Sequence, residues 1–160
     1  MTETQLELLD DHILVLGYGD LTDAVLDELD ADGAEVVVLT TDAGHADALG
    51  ERGYNVLLAD PSDEEPLERA RIDLARAVIV ATNDDAEDAL AVLTASQLNP
   101  DIPIVAAATN RENVSKLKRA GADTVISPAS LGGRLLVKSA LGSEGMEALA
   151  DRVLDEADGG

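Results

Sequence analysis

The chain has 160 residues, no cysteine, two histidines, and 33 acidic against 11 basic side chains, which gives a formal net charge of −22. This acidity argues against nucleic acid and anionic membranes as partners, because both are bound through cationic patches. The absence of cysteine excludes disulfides and thiolate metal sites, and two histidines are too few for a histidine cluster, so we expect no metal site. The acidic first residues and the lack of a long apolar run predict a cytoplasmic protein without direct membrane insertion.

The charge also predicts a habitat. Repulsion among so many carboxylates destabilises a small fold in dilute buffer, whereas molar salt shortens the Debye length to about 3 Å and screens the repulsion. The acids are spread over every predicted helix except the last instead of being gathered in a tail, as expected of a halophilic surface. We therefore predict a salt-rich cytoplasm, with an acidic mesophilic protein as the alternative.

Short apolar runs alternate with amphipathic stretches along the chain. The predicted strands are His12–Leu16, Glu35–Thr40, Asn55–Ala59, Ala77–Ala81, Ile102–Ala107 and Thr124–Ile126. The predicted helices begin near Leu21 and then cover Ala43–Glu51, Glu64–Ala70, Asp85–Leu98, Arg111–Ala120 and Ala129–Leu141. Such alternation specifies parallel strands joined by right-handed crossovers. We predict an α/β fold, a Rossmann-like doubly wound six-stranded parallel sheet in the order 3-2-1-4-5-6 with helices on both faces.

The first strand runs directly into the loop GYGDLT, where a Rossmann domain carries its glycine fingerprint. In that fingerprint the first glycine forms the turn, the second lets pyrophosphate approach the backbone, and the third permits close helix packing. Here a threonine replaces the third glycine. The position of the loop nevertheless favours a nucleotide site, with the candidate contacts Gly17, Tyr18, Gly19, Asp20, Leu21 and Thr22.

Asp20 would stand at the start of the helix that follows this loop. Backbone N–H groups and the helix dipole attract phosphate at such a position, and a carboxylate competes with it there. With Asp23 three residues later, Asp20 also resembles a carboxylate version of a capping box. Our preferred interpretation of Asp20 is therefore a helix N-cap.

The end of the second strand normally presents an acid to the adenosine ribose. Here Thr40 and Thr41 stand at that position, and Asp42 comes two positions late. We include all three as candidate ligand contacts. Asp42 either substitutes for the missing acid or caps the helix that begins near Ala43.

Three stretches between Asp11 and Leu141 carry a family resemblance: GYGDLTDAVLDEL, the stretch from Glu51 to Pro100, and the stretch from Ile104 to Leu136. They resemble the nucleotide-binding lobe of RCK domains, or TrkA-N domains, which regulate potassium channels and Trk-type potassium uptake systems. The acidity adds a haloarchaeal-like character. The resemblance implies a regulatory function in potassium transport and an adenine nucleotide as ligand, either NAD(H), AMP or ATP, although the site could also hold none.

The resemblance also adds candidate residues after the third and fourth strands. It places Asp60 near the adenine and ribose, and it lets the loop with Thr82 and Asn83 pass over the nucleotide. Each acid here also has an interpretation as a helix cap. We favour ligand contact for Asp60 and capping for Asp84 and Asp85.

The last predicted helix has more apolar surface than one sheet face needs, contributed by Leu131, Leu135, Leu136, Val137, Ala140 and Leu141. We interpret it as a subunit contact. The resemblance likewise implies a homodimer, or a higher ring, that serves the membrane subunit of a potassium channel or transporter. We divide the chain into an N-terminal extension (1–10), a nucleotide-binding lobe (11–127), a dimerisation helix (128–142) and an acidic C-terminal helix and tail (143–160).

Two other functions compete with this interpretation. An NAD(P)-dependent oxidoreductase needs a substrate domain and a proton donor beside the nicotinamide. Too little chain follows the sixth strand for that domain, and neither His12 nor His45 is expected near the ligand, so we predict no catalytic residue. The third candidate is a dimerisation module whose nucleotide site has decayed. Whether the chain is a stand-alone subunit or part of a channel stays open.

Overall fold

The computed structural model describes residues 2–142. Its elements are α1 (Glu3–Glu7), β1 (Ile13–Leu16), α2 (Thr22–Ala31), β2 (Val36–Thr40), α3 (Ala43–Glu51), β3 (Asn55–Leu58), α4 (Glu64–Arg69), β4 (Ala77–Val80), α5 (Asp85–Leu98), β5 (Ile104–Ala107), α6 (Val114–Ala120), β6 (Thr124–Ile126) and α7 (Pro128–Ala140). A short 3₁₀ turn, Arg111–Asn113, precedes α6. The predicted C-terminal helix and tail, 143–160, lie outside the described residues. Within the described part, no helix is long and apolar enough to cross a membrane.

The strands form one parallel sheet in the order β3-β2-β1-β4-β5-β6, which confirms the predicted topology. Strand β1 is central, and it pairs Leu14 with Val37 of β2 on one side and with Val78 of β4 on the other. The chain reverses its direction of travel across the sheet between β3 and β4. Ligands of open α/β sheets bind at such a switch point, beyond the carboxyl ends of the strands.

Alternate residues of each strand point to opposite sides of the sheet, and a cluster of buried apolar side chains packs on each side. Leu14 and Leu16 of β1 belong to the larger core, to which α5 and α6 contribute Val92 and Leu117. A smaller apolar cluster covers the other face. Strands β1 and β2 and helices α2 and α3 contribute to it Ile13, Val15, Val36, Val38, Leu26 and Leu49. Helices therefore cover both faces, as the sequence predicts.

Some boundaries differ from the predicted ones. Strand β5 begins at Ile104 instead of Ile102, since Pro103 has no N–H to donate to a neighbouring strand. The N-terminal extension contains helix α1, which is too short for a periodic pattern to reveal. Leu6 and Leu9 anchor this segment in the larger core with exposures of 3% and 1%. Fully buried His12 precedes β1 and donates its Nε2–H to the Ala70 carbonyl oxygen at 2.6 Å.

Candidate functional site

A cleft of about 440 Å³ lies beyond the carboxyl ends of strands β1 to β4. This volume is within the usual range for small-molecule sites. The predicted residues that line it are Gly17, Tyr18, Thr40, Thr41, Asp42, Asp60, Thr82 and Asn83. Asp20 and Leu21 instead border a neighbouring pocket of about 200 Å³, which shares Thr82 and Asn83 with the cleft. The topology thus brings the candidates from four strand ends to one edge of the sheet.

The two glycines of the loop after β1 pack against the end of β4. Gly17 has a φ of +81°, and a side chain there would collide with the Thr82 methyl group. A Cβ atom on Gly19 would lie 2.7 Å from the Ala81 carbonyl oxygen and 2.8 Å from the Thr82 Cα atom. Both positions require glycine for packing, independently of any ligand.

Side chains accept hydrogen bonds from two of the backbone N–H groups of this loop. The Gly19 N–H donates to the Thr22 hydroxyl at 2.8 Å, and the Asp20 N–H donates to Asn83 Oδ1 at 3.2 Å. Thr22, which replaces the third glycine of the fingerprint, is 2% exposed. Thr22 therefore closes the loop through an internal hydrogen bond, and Asn83 connects the loop to the segment that follows β4.

Asp20 is not the N-cap of α2, so that prediction is wrong. The Thr22 N–H donates to the Gly19 carbonyl oxygen at 3.1 Å, and this turn delays the helix until Thr22, with Leu21 as its N-cap. Asp23 does not complete a capping box either. It accepts from Arg52 at 2.8 Å and from the Tyr18 hydroxyl at 2.9 Å, and these bonds lower the pKa of its carboxyl.

Asp42 caps helix α3 and also borders the cleft. Its carboxylate accepts the backbone N–H of His45 at 2.8 Å, and this bond lowers its pKa. Its own N–H donates to the hydroxyl of the buried Thr40 at 3.2 Å. Of the two predicted roles, capping is confirmed, and the carboxylate stays at the cleft edge.

His45 lines the cleft, contrary to the prediction that neither histidine lies near the ligand. Its ring stacks on that of Tyr18, with 4.2 Å between the ring centroids. The sequence does contain a signal for this position. A residue in the first turn of a helix that follows a strand lies near the carboxyl edge of the sheet, and His45 is three residues from the cap of α3.

Asp60 shapes the loop after β3. Its carboxylate accepts from the Ser62 N–H at 2.9 Å and from the Ser62 hydroxyl at 2.7 Å. The Ser62 carbonyl oxygen in turn accepts from the Thr94 hydroxyl on α5 at 2.7 Å. The N-cap of α4 is Asp63, so Asp60 does not cap this helix. These contacts hold the Asp60 carboxylate at the cleft wall.

Asp88 is a buried cleft residue that the sequence analysis missed. It is 1% exposed, and its carboxylate accepts both the N–H of Thr82, at 3.1 Å, and the Thr82 hydroxyl. Burial raises the pKa of Asp88 to about 6, although the two Thr82 bonds act in the opposite direction. On an acidic helix Asp88 looks like one more solvated carboxylate, so only the packing reveals it.

Asp84 and Asp85, both predicted as caps, have different roles. Asp84 is the N-cap of α5 and accepts the Ala86 and Glu87 N–H groups at 3.0 and 3.1 Å, which confirms the prediction. Capping is wrong for Asp85.

The buried Asp85 carboxylate binds the loop between β5 and α6. It accepts the Thr109 N–H at 2.9 Å, the Asn110 N–H at 3.1 Å and the Asn113 side chain at 2.9 Å. Burial acts to raise its pKa, but these hydrogen bonds hold the pKa below its usual value. The first turn of α5 therefore connects the ends of β4 and β5.

Comparison with known proteins identifies related molecules. Potassium channel protein 1 of Methanocaldococcus jannaschii is 28% identical over 156 residues, which are 96% of this chain and 47% of the relative. The chain thus spans about half the length of this relative. Among solved structures, the TrkA-N domain of the inner membrane protein ybaL from Escherichia coli superposes with a TM-score of 0.76 at 27% identity, covering 82% of this chain and 97% of that one.

A nucleotide-bound channel is also similar. The GsuK channel bound to NAD superposes with a TM-score of 0.75 at 28% identity, covering 81% of this chain and 24% of the channel chain. A structure of GsuK bound to ADP gives a TM-score of 0.76 at 27% identity, covering 86% of this chain and 35% of that one. The model of the TrkA-N domain matches residues 13–128, which contain the whole sheet and the cleft. This chain belongs to the TrkA-N domain family.

Proposed function

We propose that this chain is a cytoplasmic regulatory domain that binds an adenine nucleotide and controls a potassium channel or transporter. The observation that carries the proposal is the cleft at the switch point of the sheet, edged by the glycine loop and by Asp60. The relative from Methanocaldococcus jannaschii, a potassium channel protein, supports the potassium part of the proposal. The bound NAD and ADP of GsuK support a nucleotide as the ligand.

The nucleotide would lie with its adenosine half between Asp60 and Thr82 and with its phosphate toward Gly17 and Gly19. Asp42 and Thr40 would face the ribose from β2, and His45 would stand beside them. The Asp20 carboxylate opposes phosphate at the start of α2. We therefore expect weaker binding than in a site with an acid directly after β2 and no acid at the helix start.

Calorimetry in molar potassium chloride tests this arrangement with AMP, ADP, ATP and NAD. Asp60→Ala should weaken binding about tenfold or more, since a hydrogen bond to a charged group contributes roughly 1.5–3 kcal/mol. Asp63→Ala is the matched control, because Asp63 does not line the cleft. Asp20→Asn should tighten binding a few-fold. Equal affinities in all three variants would contradict the arrangement.

An oxidoreductase is the weaker candidate. His45, the histidine in the cleft, stands on the β2 side, where the adenosine half would lie, and its ring is stacked on Tyr18. A proton donor for hydride transfer belongs at the nicotinamide end. The third candidate, a dimerisation module with a decayed site, predicts that no adenine nucleotide binds the wild type or Asp20→Asn.

Helix α7 is proposed as the contact between two copies of the chain. None of its residues is buried, and Leu136 and Val137 are 73% and 58% exposed, with Leu141 just beyond at 76%. So much apolar surface is unusual on a polar molecule and marks an interaction site. A second copy would cover it in a two-fold arrangement, in which each α7 contacts the other subunit.

Sedimentation in molar salt tests the dimer. Leu136→Asp should give monomers, because it would bury an unpaired carboxylate at the contact. Leu8→Asp is the matched control, since Leu8 is 76% exposed but lies in the N-terminal segment. A dimer that persists in Leu136→Asp, or dissociates equally in both variants, would place the contact elsewhere.

A further inference from the structure

The carboxyl group of Asp88 is buried at the wall of the cleft. Asp88 lines the cleft although it is 1% exposed, and its two oxygens accept the Thr82 N–H, at 3.1 Å, and the Thr82 hydroxyl. Thr82 is also the residue on which the glycine loop packs, since a Cβ atom on Gly17 or Gly19 would collide with it. Asp88 therefore supports the point at which the end of β4 meets the loop after β1.

The hydrogen bonds around the Thr82 hydroxyl are most complete when Asp88 is neutral. This hydroxyl accepts the Asp84 N–H at 3.1 Å, and two acceptors lie within its reach, Asp88 Oδ1 and the Asp84 carbonyl oxygen at 3.3 Å. A hydroxyl has one hydrogen to donate. If Oδ1 carries a proton, Asp88 donates to Thr82, and the Thr82 hydrogen is released to the Asp84 carbonyl. If Asp88 is ionised, it takes the Thr82 hydrogen, and the Asp84 carbonyl keeps only the helical N–H of Asp88, at 3.0 Å.

This difference reaches the cleft through the segment 82–84. Thr82 and Asn83 line the cleft, and Asn83 accepts the Asp20 N–H of the glycine loop at 3.2 Å. The neutral carboxyl adds one hydrogen bond within this segment. It therefore holds both lining residues more firmly in the arrangement that receives a ligand.

The surroundings of Asp88 are acidic. Burial raises the pKa of Asp88 most, and the charges of Asp85 and Asp84 raise it further. Helices α4 and α6 pack against α5, but none of their charged side chains lines the cleft. The other titratable side chains of the lining are Tyr18, Asp42, His45, Asp60 and Glu87. No lysine or arginine is among the described lining residues, so the charge of a bound anion favours the neutral form of Asp88.

We propose that Asp88 is a positioning residue of the nucleotide cleft that couples binding to the uptake of a proton, with the neutral carboxyl as the form that receives the ligand. This inference rests on the proposed adenine-nucleotide site. By reciprocity, a ligand that favours protonation of Asp88 binds more tightly when Asp88 is already protonated. The affinity is therefore highest at low pH and falls as the pH rises through the range in which the free protein loses this proton.

Calorimetry with NAD in molar potassium chloride, between about pH 5.5 and about pH 7.5, tests the coupling. NAD is the first probe because it has no phosphate monoester, a group that itself titrates at about pH 6. The dissociation constant should rise about fivefold or more across this range. At about pH 7, measurements in buffers of different ionisation enthalpy should show about half a proton or more taken up for each NAD bound.

Asp88→Asn separates the position of the side chain from its titration. The amide can accept from the Thr82 N–H and donate to the Thr82 hydroxyl, as the neutral carboxyl does, but it does not titrate. This variant should bind NAD without proton uptake, with an affinity that is independent of pH and exceeds that of the wild type at about pH 7.5. Histidine side chains take up protons in the same range, so His45→Gln is the matched control and should retain the uptake.

The outcomes separate the two proposals. Binding of NAD by the wild type without proton uptake overturns the coupling, and so does uptake that persists in Asp88→Asn or disappears in His45→Gln. The wild type and His45→Gln decide the question even if Asp88→Asn does not fold. AMP is the second probe, since the titration of its phosphate is common to the wild type and the variants. Failure of both NAD and AMP to bind the folded wild type overturns the nucleotide site itself, and the coupling with it.

Discussion

Asp88 gives the sharpest test of the packing around the cleft. Burial raises its pKa from 3.8 to about 6, so the folded protein favours the neutral carboxyl more than the unfolded chain does. The stability linked to this group is present in full below about pH 4 and is lost as the pH rises to about 6. The difference between these two pKa values corresponds to about 3 kcal/mol, at about 1.4 kcal/mol for each tenfold change in the proton-binding constant.

The Asp88→Asn variant isolates this effect from the other acids of the chain. Its amide does not titrate, so the unfolding free energy of the variant minus that of the wild type should rise by about 2–3 kcal/mol between about pH 4 and pH 7. The loss of one Thr82 hydrogen bond shifts the whole difference but does not change its slope. Molar salt should preserve the effect, because burial of the carboxylate, and not the charge of a neighbour, is its main cause.

The assay is urea unfolding in molar potassium chloride, followed by circular dichroism across the pH range. Glu87→Gln removes an exposed carboxyl from the same turn of α5 and is the matched control. A difference between Asp88→Asn and wild type that stays constant with pH would refute the reasoning. A slope equal to that of Glu87→Gln would refute it as well.

The remaining predictions concern stability. Asp85→Asn should have the opposite pH dependence, because hydrogen bonds lower the pKa of the wild-type carboxyl. The stability that this carboxylate contributes is present at neutral pH and is lost as the pH falls through its pKa. Urea unfolding across the pH range checks the sign. The domain should unfold on dialysis from molar potassium chloride to dilute buffer, since a charge of −22 is then unscreened; an unchanged dichroism spectrum at low salt would contradict the halophilic interpretation. Gly121→Ala should destabilise by about 1–3 kcal/mol, because Gly121 has a φ of +130° and its Cβ would lie 2.7 Å from Ser96. Gly50→Ala, with open space around it, should instead stabilise α3 by about 0.5–1 kcal/mol, and thermal melts compare the two.

Much of the fold could be predicted because its signals are local. Helices α3 and α5 have the predicted bounds Ala43–Glu51 and Asp85–Leu98, since a capping aspartate marks the start of each helix. The alternation of strands and helices then leaves few topologies. Element boundaries were harder to predict where a single residue sets them, as Pro103 does for β5, and the existence of a helix as short as α1 could not be predicted from a periodic pattern.

The details of the site were less predictable, because they depend on which partner each polar group meets. Asp20, Asp84 and Asp85 all look like caps in the sequence, yet only Asp84 caps a helix. Asp20 is displaced by the turn that closes before α2, and Asp85 bonds to a loop that follows it by more than twenty residues. Asp88 lies beneath Thr82, a contact that no spacing rule reveals.

The exposure of α7 has a mechanical consequence. At a rise of about 1.5 Å per residue, a helix of 13 residues is an arm about 20 Å long, joined to β6 by Ser127 alone. A tilt of about 10° at its base moves the far end by about 3 Å, close to the radius of a helix backbone cylinder. The end of β6 pairs with β5 at that base, and Asp85 of α5 binds the loop that follows β5. A tilt at the rim of the sheet would therefore be enlarged along the length of α7.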